Sequence, residues 1–373
     1  MPTKNYLANL KYIKNLCSNY IHIKIPQHIR DKKDHGDIDI IYYPKEPEFS
    51  EKFKNHEDFI NNFVKVHFES DISDSHNSER GPHMLHFNKK EADNDFQEAQ
   101  VDFMLASSLK NLEYQYFYMS HSDFGSILGQ ICSQLGYTLT ISDLRIKIYY
   151  DNDPSKICSQ MVLTESPREI CKFLDYDYDE LMKGFDSKID FFDFMLSSKY
   201  VQAKFFDTTE SFNYTHRKRA TKRPTYMQFM DYVKDQYENH GKFQEEERLR
   251  NLAEMESYSV DEIQNYRAKN KRVAAKYFGK LDEYDQKLAD FEKMLLLKEK
   301  FSAKTVLKYI PIFEKKITEN KKNGRILGEF VIVFKKKWSE EWLLTASEDE
   351  IRHQVVFLWH DFKGTVEWIP GKT

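Results

Sequence analysis

Two aspartates, Asp37 and Asp39, stand one residue apart in the apolar segment Gly36-Asp37-Ile38-Asp39-Ile40-Ile41. Side chains of a strand alternate between its faces, so these two carboxylates project to the same side, about 6.6 Å apart along the chain. Neighbouring carboxylates repel each other, and the arrangement costs stability unless a cation lies between them. Mg²⁺ is the natural counter-charge because it prefers oxygen ligands and keeps coordination positions for substrate phosphates.

A third acid, Asp102, lies in the segment Gln100-Val101-Asp102-Phe103-Met104, where its apolar neighbours alternate with it and face the core. Three acids on two adjacent strands can hold two Mg²⁺ ions about 3.5–4 Å apart, which stabilises both the attacking and the leaving oxygen of a phosphoryl displacement. The pattern therefore predicts nucleotidyl transfer. Asp37, Asp39 and Asp102 are the expected catalytic metal ligands, with two Mg²⁺ ions as cofactors and Mn²⁺ as the alternative ion.

Cationic side chains occur in two places that could offset the charge of a triphosphate. Arg30, Lys32 and Lys33 directly precede the acidic strand. A second basic run spans 217–223, and its candidate nucleotide-binding residues are Arg217, Arg219, Lys222 and Arg223. This run is equally compatible with a solvated loop and with phosphate binding, and both interpretations stay open.

The composition narrows the class of protein. The chain has 373 residues, of which 40% are hydrophobic and 31% charged, enough apolar material for more than one core. The net charge of −4 excludes a uniformly basic nucleic-acid coat. Its four cysteines form no Cys-x-x-Cys pair, and no apolar stretch approaches the ~20 residues of a membrane span. We expect a soluble, cytoplasmic protein without a membrane partner.

Hydrophobic periodicity gives the elements that position the acids. Residues 6–18 are predicted to form an amphipathic helix that a strand follows. Further strands are predicted at 37–43, 63–68, 84–87, 99–105, 144–150 and 160–163. A helix is expected over 122–135, with the capping-box pattern Ser120-His121-Ser122-Asp123 at its start.

The predicted fold class is α+β, with an N-terminal mixed sheet flanked by helices and mainly helical domains after it. The pattern Ser166-Pro167-Arg168-Glu169 is typical of a helix start and marks the first boundary. We therefore expect a catalytic domain at 1–165, a helical domain at 166–300 and a C-terminal helical domain at 301–373. An exposed charged helix is predicted at 241–257, a capping box at Ser259, and a last helix from Ser347.

The acidic segments resemble the DNA polymerase β-like nucleotidyltransferase superfamily, whose pattern is Asp-h-Asp-h on one strand and h-Asp-h on a later one. The resemblance is strongest to a divergent branch with a His/Tyr-Gly-Asp-h-Asp motif, and it covers residues from about 22 to 235. Its further motifs here are Asp123-Phe124-Gly125, Lys183-Gly184-Phe185 and Lys222-Arg223-Pro224. It implies a polymerase β-like mixed sheet in the N-terminal domain.

The resemblance also implies roles for single residues. Asp37 and Asp39 would ligate both metals, Asp102 would bind the metal at the acceptor hydroxyl and help to deprotonate it, and Gly36 would contact the nucleotide. The sequence departs from the superfamily in one respect, since no Gly-Ser or Gly-Gly pair lies about ten residues before Asp37. The basic residues before the strand are the suggested replacement, and an inactive relative stays open.

The segment Gly324-Arg325-Ile326-Leu327-Gly328 resembles an element in the C-terminal helical region of CCA-adding tRNA nucleotidyltransferases. The expected acceptor is therefore an RNA 3′ end, with an NTP as the donor substrate. Transfer to a protein or a small molecule, and a nucleic-acid-binding relative without activity, are the alternatives. The sequence does not specify base selectivity, templating or oligomeric state.

Overall fold

The computed structural model of the chain describes residues 1–68, 83–87, 99–149, 157–206, 222–239, 260–300, 303–320 and 322–367. These residues form a mixed α+β protein, as predicted. They belong to two compact units, the first containing Met1–Lys147 and Gln160–Lys280, the second Ile148–Ser159 and Leu281–Thr373. The division into three domains stays a prediction.

The first unit contains a four-stranded mixed sheet in the order β1-β2-β4-β3. Strands β2 and β4 are parallel and central, whereas β1 and β3 pair with them antiparallel at the edges. The predicted strands at these positions are confirmed. Their bounds are β1 Ile21–Lys24, β2 Asp37–Pro44, β3 His83–Phe87 and β4 Ala99–Leu105.

Alternation along β2 divides its side chains between two apolar clusters. Ile38 and Ile40 are fully buried on the face that helix α1 (Thr3–Cys17) covers. Ile41 points to the opposite face, where it packs against Leu112 of helix α5 (Leu109–Met119). Burial of both faces fixes the register of β2, because a shift by one residue would move its aspartates into the α1 core.

The segment after β2 is helical, so the predicted strand at 63–68 is wrong. It contains α2 (Glu48–Lys52), α3 (His56–Asp58), a π-helix (Phe59–Val64) and α4 (Lys65–Phe68). The rings of Phe59 and Phe63 stack at 5.9 Å, and those of Phe63 and His67 lie 4.5 Å apart. Aromatic residues spaced by four share one helical face, and these contacts within the segment outweigh the strand preference of Phe and Val.

Helices dominate the next part of the chain. A second sheet, in the order β5-β6-β7, follows helix α6. Ser166 accepts a hydrogen bond from the Glu169 amide and confirms the predicted helix start there. The predicted helix at 241–257 and the capping box at Ser259 lie outside the described residues. The element bounds are α6 Phe124–Leu135, β5 Thr138–Leu139, β6 Leu144–Tyr149, β7 Ile157–Thr164, α7 Pro167–Phe173, α8 Tyr178–Lys183, α9 Lys188–Met195, a 3-10 helix Ala203–Phe206, α10 Pro224–Glu238 and α11 Val260–Tyr277.

The second unit is mainly helical, and Phe313, Phe330 and Trp359 lie at the centre of its core. Ser347 and Glu350 form a capping box that begins the last helix at the predicted position. None of the helices among the described residues combines the length and the apolar composition needed to span a bilayer. The bounds are α12 Leu281–Lys300, α13 Ala303–Tyr309, α14 Ile312–Glu319, α15 Asn323–Lys337, α16 Glu340–Thr345, α17 Glu348–Phe362 and a 3-10 helix Lys363–Thr365.

Candidate active site

Three carboxylates meet at the start of the central parallel strands. Asp39 of β2 is the direct register partner of Asp102 on β4, and Asp37 is opposite Gln100. One carboxylate oxygen from each aspartate lies within 4.8 Å of those of the other two. The alternation of two adjacent strands is enough to produce this cluster, because residues paired in register project to the same face.

The electrostatics of the cluster are unfavourable without a cation. Burial, the charge of Asp37 and the charge of Asp102 together raise the pKa of Asp39 to about 7, although Lys32 opposes this shift. Gln100 donates a hydrogen bond from Nε2 to Oδ1 of Asp102 at 2.9 Å, which orients that carboxylate without neutralising it. The three acids therefore form a concentrated negative site that a divalent cation would stabilise.

A group of aromatic and imidazole side chains borders the acids. The Tyr6 hydroxyl lies 2.9 Å from Nε2 of His28, and the Tyr6 ring stacks on His35 at 3.9 Å. Burial, followed by Asp39 and Asp37, raises the pKa of Tyr6. Burial and the charge of Lys32 lower the pKa of His28 to about 3, so this imidazole is neutral at physiological pH. Because His28 is neutral, the positive charge beside the acids comes from Lys32.

A cavity of about 870 Å³ opens beside the acids and lies within the first unit. Asp37 and Asp39 line it, as do Lys32 and Lys33 from the loop before β2. Two further cations line it from distant parts of the sequence, Lys188 at the start of α9 and Arg223 just before α10. The cavity lining therefore combines four positively charged side chains with five aspartates, Asp31, Asp34, Asp37, Asp39 and Asp123.

Loop 120–123 forms another part of the cavity wall. His121 and Ser122 both have left-handed backbone conformations, with φ of 58° and 61°. The expected capping box does not form, since Ser120 instead ends α5 and its hydroxyl donates to the Tyr116 carbonyl. Asp123, Gly125 and Ser126 continue this wall into α6.

The ring of Tyr118 also lines the cavity and packs against Gly125. A methyl group on Gly125 would meet the Tyr118 carbonyl oxygen at 2.5 Å and its ring at 2.9 Å. Glycine is required here because no side chain fits between the helix and the tyrosine. This contact explains why the Asp123-Phe124-Gly125 motif has glycine at its third position.

The other described residues that were predicted to bind nucleotide do not line the cavity. Arg30 donates to the Asp186 carboxylate and, at 2.6 Å, to the Lys183 carbonyl, and it does not line the cavity. Gly36 is exposed, and a Cβ added to it would meet no atom within 4 Å. Lys222 is exposed outside the cavity lining. Arg217 and Arg219 lie outside the described residues.

Sequence reasoning missed His28, Lys188 and Ser126 as cavity residues, and it missed Gln100 as the partner of Asp102. A single lysine on a helix carries no spacing signal, so Lys188 is recognisable only once α9 packs beside the cavity. Comparison of the sequence with models of protein families finds no match, and comparison with curated proteins finds none either.

Proposed function

We propose that the chain is a metal-dependent nucleotidyltransferase of the polymerase β-like type, which transfers a nucleoside monophosphate from an NTP to the 3′ hydroxyl of an RNA and releases pyrophosphate. The observation that supports this proposal best is the cluster of Asp37, Asp39 and Asp102 beside a cavity that cations line. The resemblance of the acidic motifs to that superfamily, which rests on the same three aspartates, agrees with it.

The acidic cluster fits Mg²⁺, and Mn²⁺ as the alternative. Carboxylate oxygens are the ligands these ions prefer. Burial, together with the charges of Asp37 and Asp102, raises the pKa of Asp39, and Lys32 opposes this shift only in part. Asp37, Asp39 and Asp102 would hold the metal. When bound, it would stabilise the charge of the phosphates and favour deprotonation of the acceptor hydroxyl.

The cavity suits a nucleoside triphosphate in size, and its cations can contact the phosphates. Its volume of about 870 Å³ falls in the range of small-molecule sites, about 300–1,000 Å³. Lys32, Lys33, Lys188 and Arg223 supply donors for phosphate oxygens, and the Tyr118 ring supplies apolar surface. These side chains bind and orient the triphosphate without a glycine-rich loop.

The reaction forms one bond and breaks one. The acceptor oxygen bonds to the α-phosphorus of the NTP, the bond from this phosphorus to the α,β-bridging oxygen breaks, and pyrophosphate leaves with the electron pair. The hydroxyl proton passes to the carboxylate of Asp102, which Gln100 holds in orientation. Lys32 and the other cavity cations offset the charge of the departing pyrophosphate.

The RNA acceptor is supported by the second unit. The segment that resembles CCA-adding enzymes lies at the start of α15, where Gly324 and Gly328 leave open space beside the helix. The same helix ends in the exposed lysines Lys335, Lys336 and Lys337, whose charge suits an RNA backbone.

The test is incubation of the purified chain with Mg²⁺ and each α-labelled NTP, offered separately with RNA, protein and small-molecule acceptors. Label on the RNA 3′ end is expected. Label on protein or on small molecules would retain the enzyme class and overturn the RNA acceptor. No transfer with any acceptor, together with no Mg²⁺-dependent NTP binding, would overturn the proposed function.

Asp39→Asn and Asp102→Asn keep the size of each side chain and remove its charge. Each is expected to reduce transfer by at least about 10²-fold, since electrostatic stabilisation is among the largest contributions to such rates. Asp179→Asn, on the exposed surface of α8, is the matched control and should transfer label at the normal rate. Normal activity of either cluster variant would contradict the assignment.

A further inference from the structure

The side chain of Asp123 connects two segments that are a hundred residues apart. Its Oδ1 accepts a hydrogen bond from Nη1 of Arg223 at 3.0 Å, and its Oδ2 accepts one from the Tyr226 amide at 3.1 Å. Nη1 of Arg223 also donates to the Ser126 hydroxyl at 2.9 Å. The side chain of Asp123 is 12% exposed and that of Arg223 45%, so a mostly buried carboxylate holds a solvent-accessible guanidinium.

Arg223 has hydrogen-bond donors left for a ligand while Asp123 and Ser126 hold its guanidinium. A guanidinium has five N–H groups in one plane, and the contacts to Asp123 and Ser126 use only those of Nη1. Among the described residues, Nε and Nη2 of Arg223 have no hydrogen-bond partner. Because Arg223 lines the cavity, these groups can pair with phosphate oxygens in the bidentate manner typical of arginine.

Lys188 is held on the same side of the cavity. Its Nζ donates to Oε1 of Gln228 on α10 at 2.9 Å. Helices α9 and α10 pack together through Phe192 and Phe229, whose ring centroids lie 5.4 Å apart. The ammonium of Lys188 and the guanidinium of Arg223 therefore come from one packed pair of helices, which fixes them relative to each other.

We propose that Lys188 and Arg223 bind the polyphosphate of the nucleotide and that Asp123 is the positioning residue that holds Arg223 for this contact. This inference rests on the proposed function. An arginine without a partner loses rotamer freedom when it binds a phosphate, whereas Arg223 has already lost it to Asp123. The Asp123 carboxylate also repels phosphate, but both of its oxygens face donors of the protein, so the gain in preorganisation outweighs the repulsion.

The test measures binding by titration calorimetry with Mg²⁺ and no acceptor. The probes are α,β-methylene-ATP, which cannot transfer its nucleotide, and AMP, which has no polyphosphate. Lys188→Ala and Arg223→Ala should each weaken binding of α,β-methylene-ATP by about 10-fold or more, the usual effect of losing a hydrogen bond between charged groups. Binding of AMP should change little in either variant.

Asp123 is tested through its coupling to Arg223. Asp123→Ala should weaken binding of α,β-methylene-ATP several-fold, and the double variant with Arg223→Ala should bind no more weakly than Arg223→Ala alone. Asp123→Asn keeps an acceptor oxygen and should restore part of the affinity. The control pair is Asp179 and Arg168, which form a comparable ion pair outside the cavity lining and whose alanine variants should bind normally.

The outcomes distinguish failure of this inference alone from failure of the proposed function. If the unaltered chain binds no α,β-methylene-ATP, both are wrong. If the unaltered chain binds α,β-methylene-ATP and transfers label from NTP, the proposed function stands. If the losses of affinity in Asp123→Ala and Arg223→Ala are then additive in the double variant, the positioning role is overturned. Equal weakening of AMP and α,β-methylene-ATP would indicate a general distortion of the cavity and would overturn the polyphosphate contact.

Discussion

Removal of one charge from the acidic cluster is expected to stabilise the metal-free protein. In Asp39→Asn the side chain keeps its size, and both the cost of burying its charge, which is the larger cause, and the repulsion by Asp37 and Asp102 disappear. The pKa of Asp39 rises from 3.8 to about 7 on folding, and each unit corresponds to about 1.4 kcal/mol. The ionised carboxylate therefore destabilises the folded state by at most about 4.5 kcal/mol, and water at this half-buried group reduces the figure to roughly 2–3 kcal/mol.

The sign of the pH dependence follows from the direction of this shift. Because the folded state holds the proton of Asp39 more tightly than the unfolded state, the contribution of this group to stability falls as the pH rises from about 4 to about 7. Above pH 7 the full penalty is present, and below pH 4 it is absent. Asp39→Asn should therefore be more stable than the unaltered chain at pH 8 and lose most of this advantage at pH 4.5.

The assay is urea unfolding at both pH values, with EDTA and with Mg²⁺. Mg²⁺ at 100 times its Kd should add about 2.7 kcal/mol to the unaltered chain at pH 8 and much less to Asp39→Asn. Asp58→Asn is the control and should destabilise the chain at pH 8, because hydrogen bonds from the Lys54 amide and Asn62 lower the pKa of that exposed carboxyl. Equal stability of Asp39→Asn and the unaltered chain at pH 8 in EDTA would refute the reasoning.

Two further predictions concern packing and are tested by urea unfolding. Gly125→Ala should destabilise the chain by about 1–3 kcal/mol, because the new methyl group overlaps the Tyr118 carbonyl, whereas Gly129→Ala meets no atom within 4 Å and should stabilise it by up to about 1 kcal/mol. If both alanines stabilise, the contact with Tyr118 is not as close as described. Phe330→Ala removes a fully buried ring and should cost about 3–5 kcal/mol, whereas Phe357→Ala, at a ring 54% exposed, should cost far less. Similar losses for the two phenylalanines would contradict the assigned core of the second unit.

The parts of the fold that the sequence predicts are those with a strong local pattern. β2 and β4 alternate apolar and polar residues with period two, and the structure has both strands within a residue of the predicted bounds. The segment at 63–68 shows the limit of this reasoning. Its Phe and Val residues favour a strand locally, but the contacts of the Phe63 ring with Phe59 and His67 favour a helix, and only the packed core decides between the two.

The candidate site also has a part that the sequence predicts and a part that it does not. The acids come from two strands whose alternation is visible in the sequence, so their common face is predictable. The cations depend on which helices pack beside the sheet. Arg30 is close to Asp37 in sequence, yet its guanidinium pairs with Asp186, whereas Lys188 is 151 positions from Asp37 and lines the cavity with it.

Asp123 shows why a local motif can mislead. In the sequence it completes a capping-box pattern with Ser120, and this interpretation assigns the carboxylate to the start of α6. In the structure it makes no capping hydrogen bond to α6 and binds Arg223 and the Tyr226 amide instead. A carboxylate accepts hydrogen bonds from whichever donors the fold brings to it, and here these donors lie at the start of α10. The residue that stabilises the junction of α6 and α10 is therefore also the one that holds a cation at the candidate nucleotide site, so substitutions of Asp123 should affect stability and nucleotide affinity together.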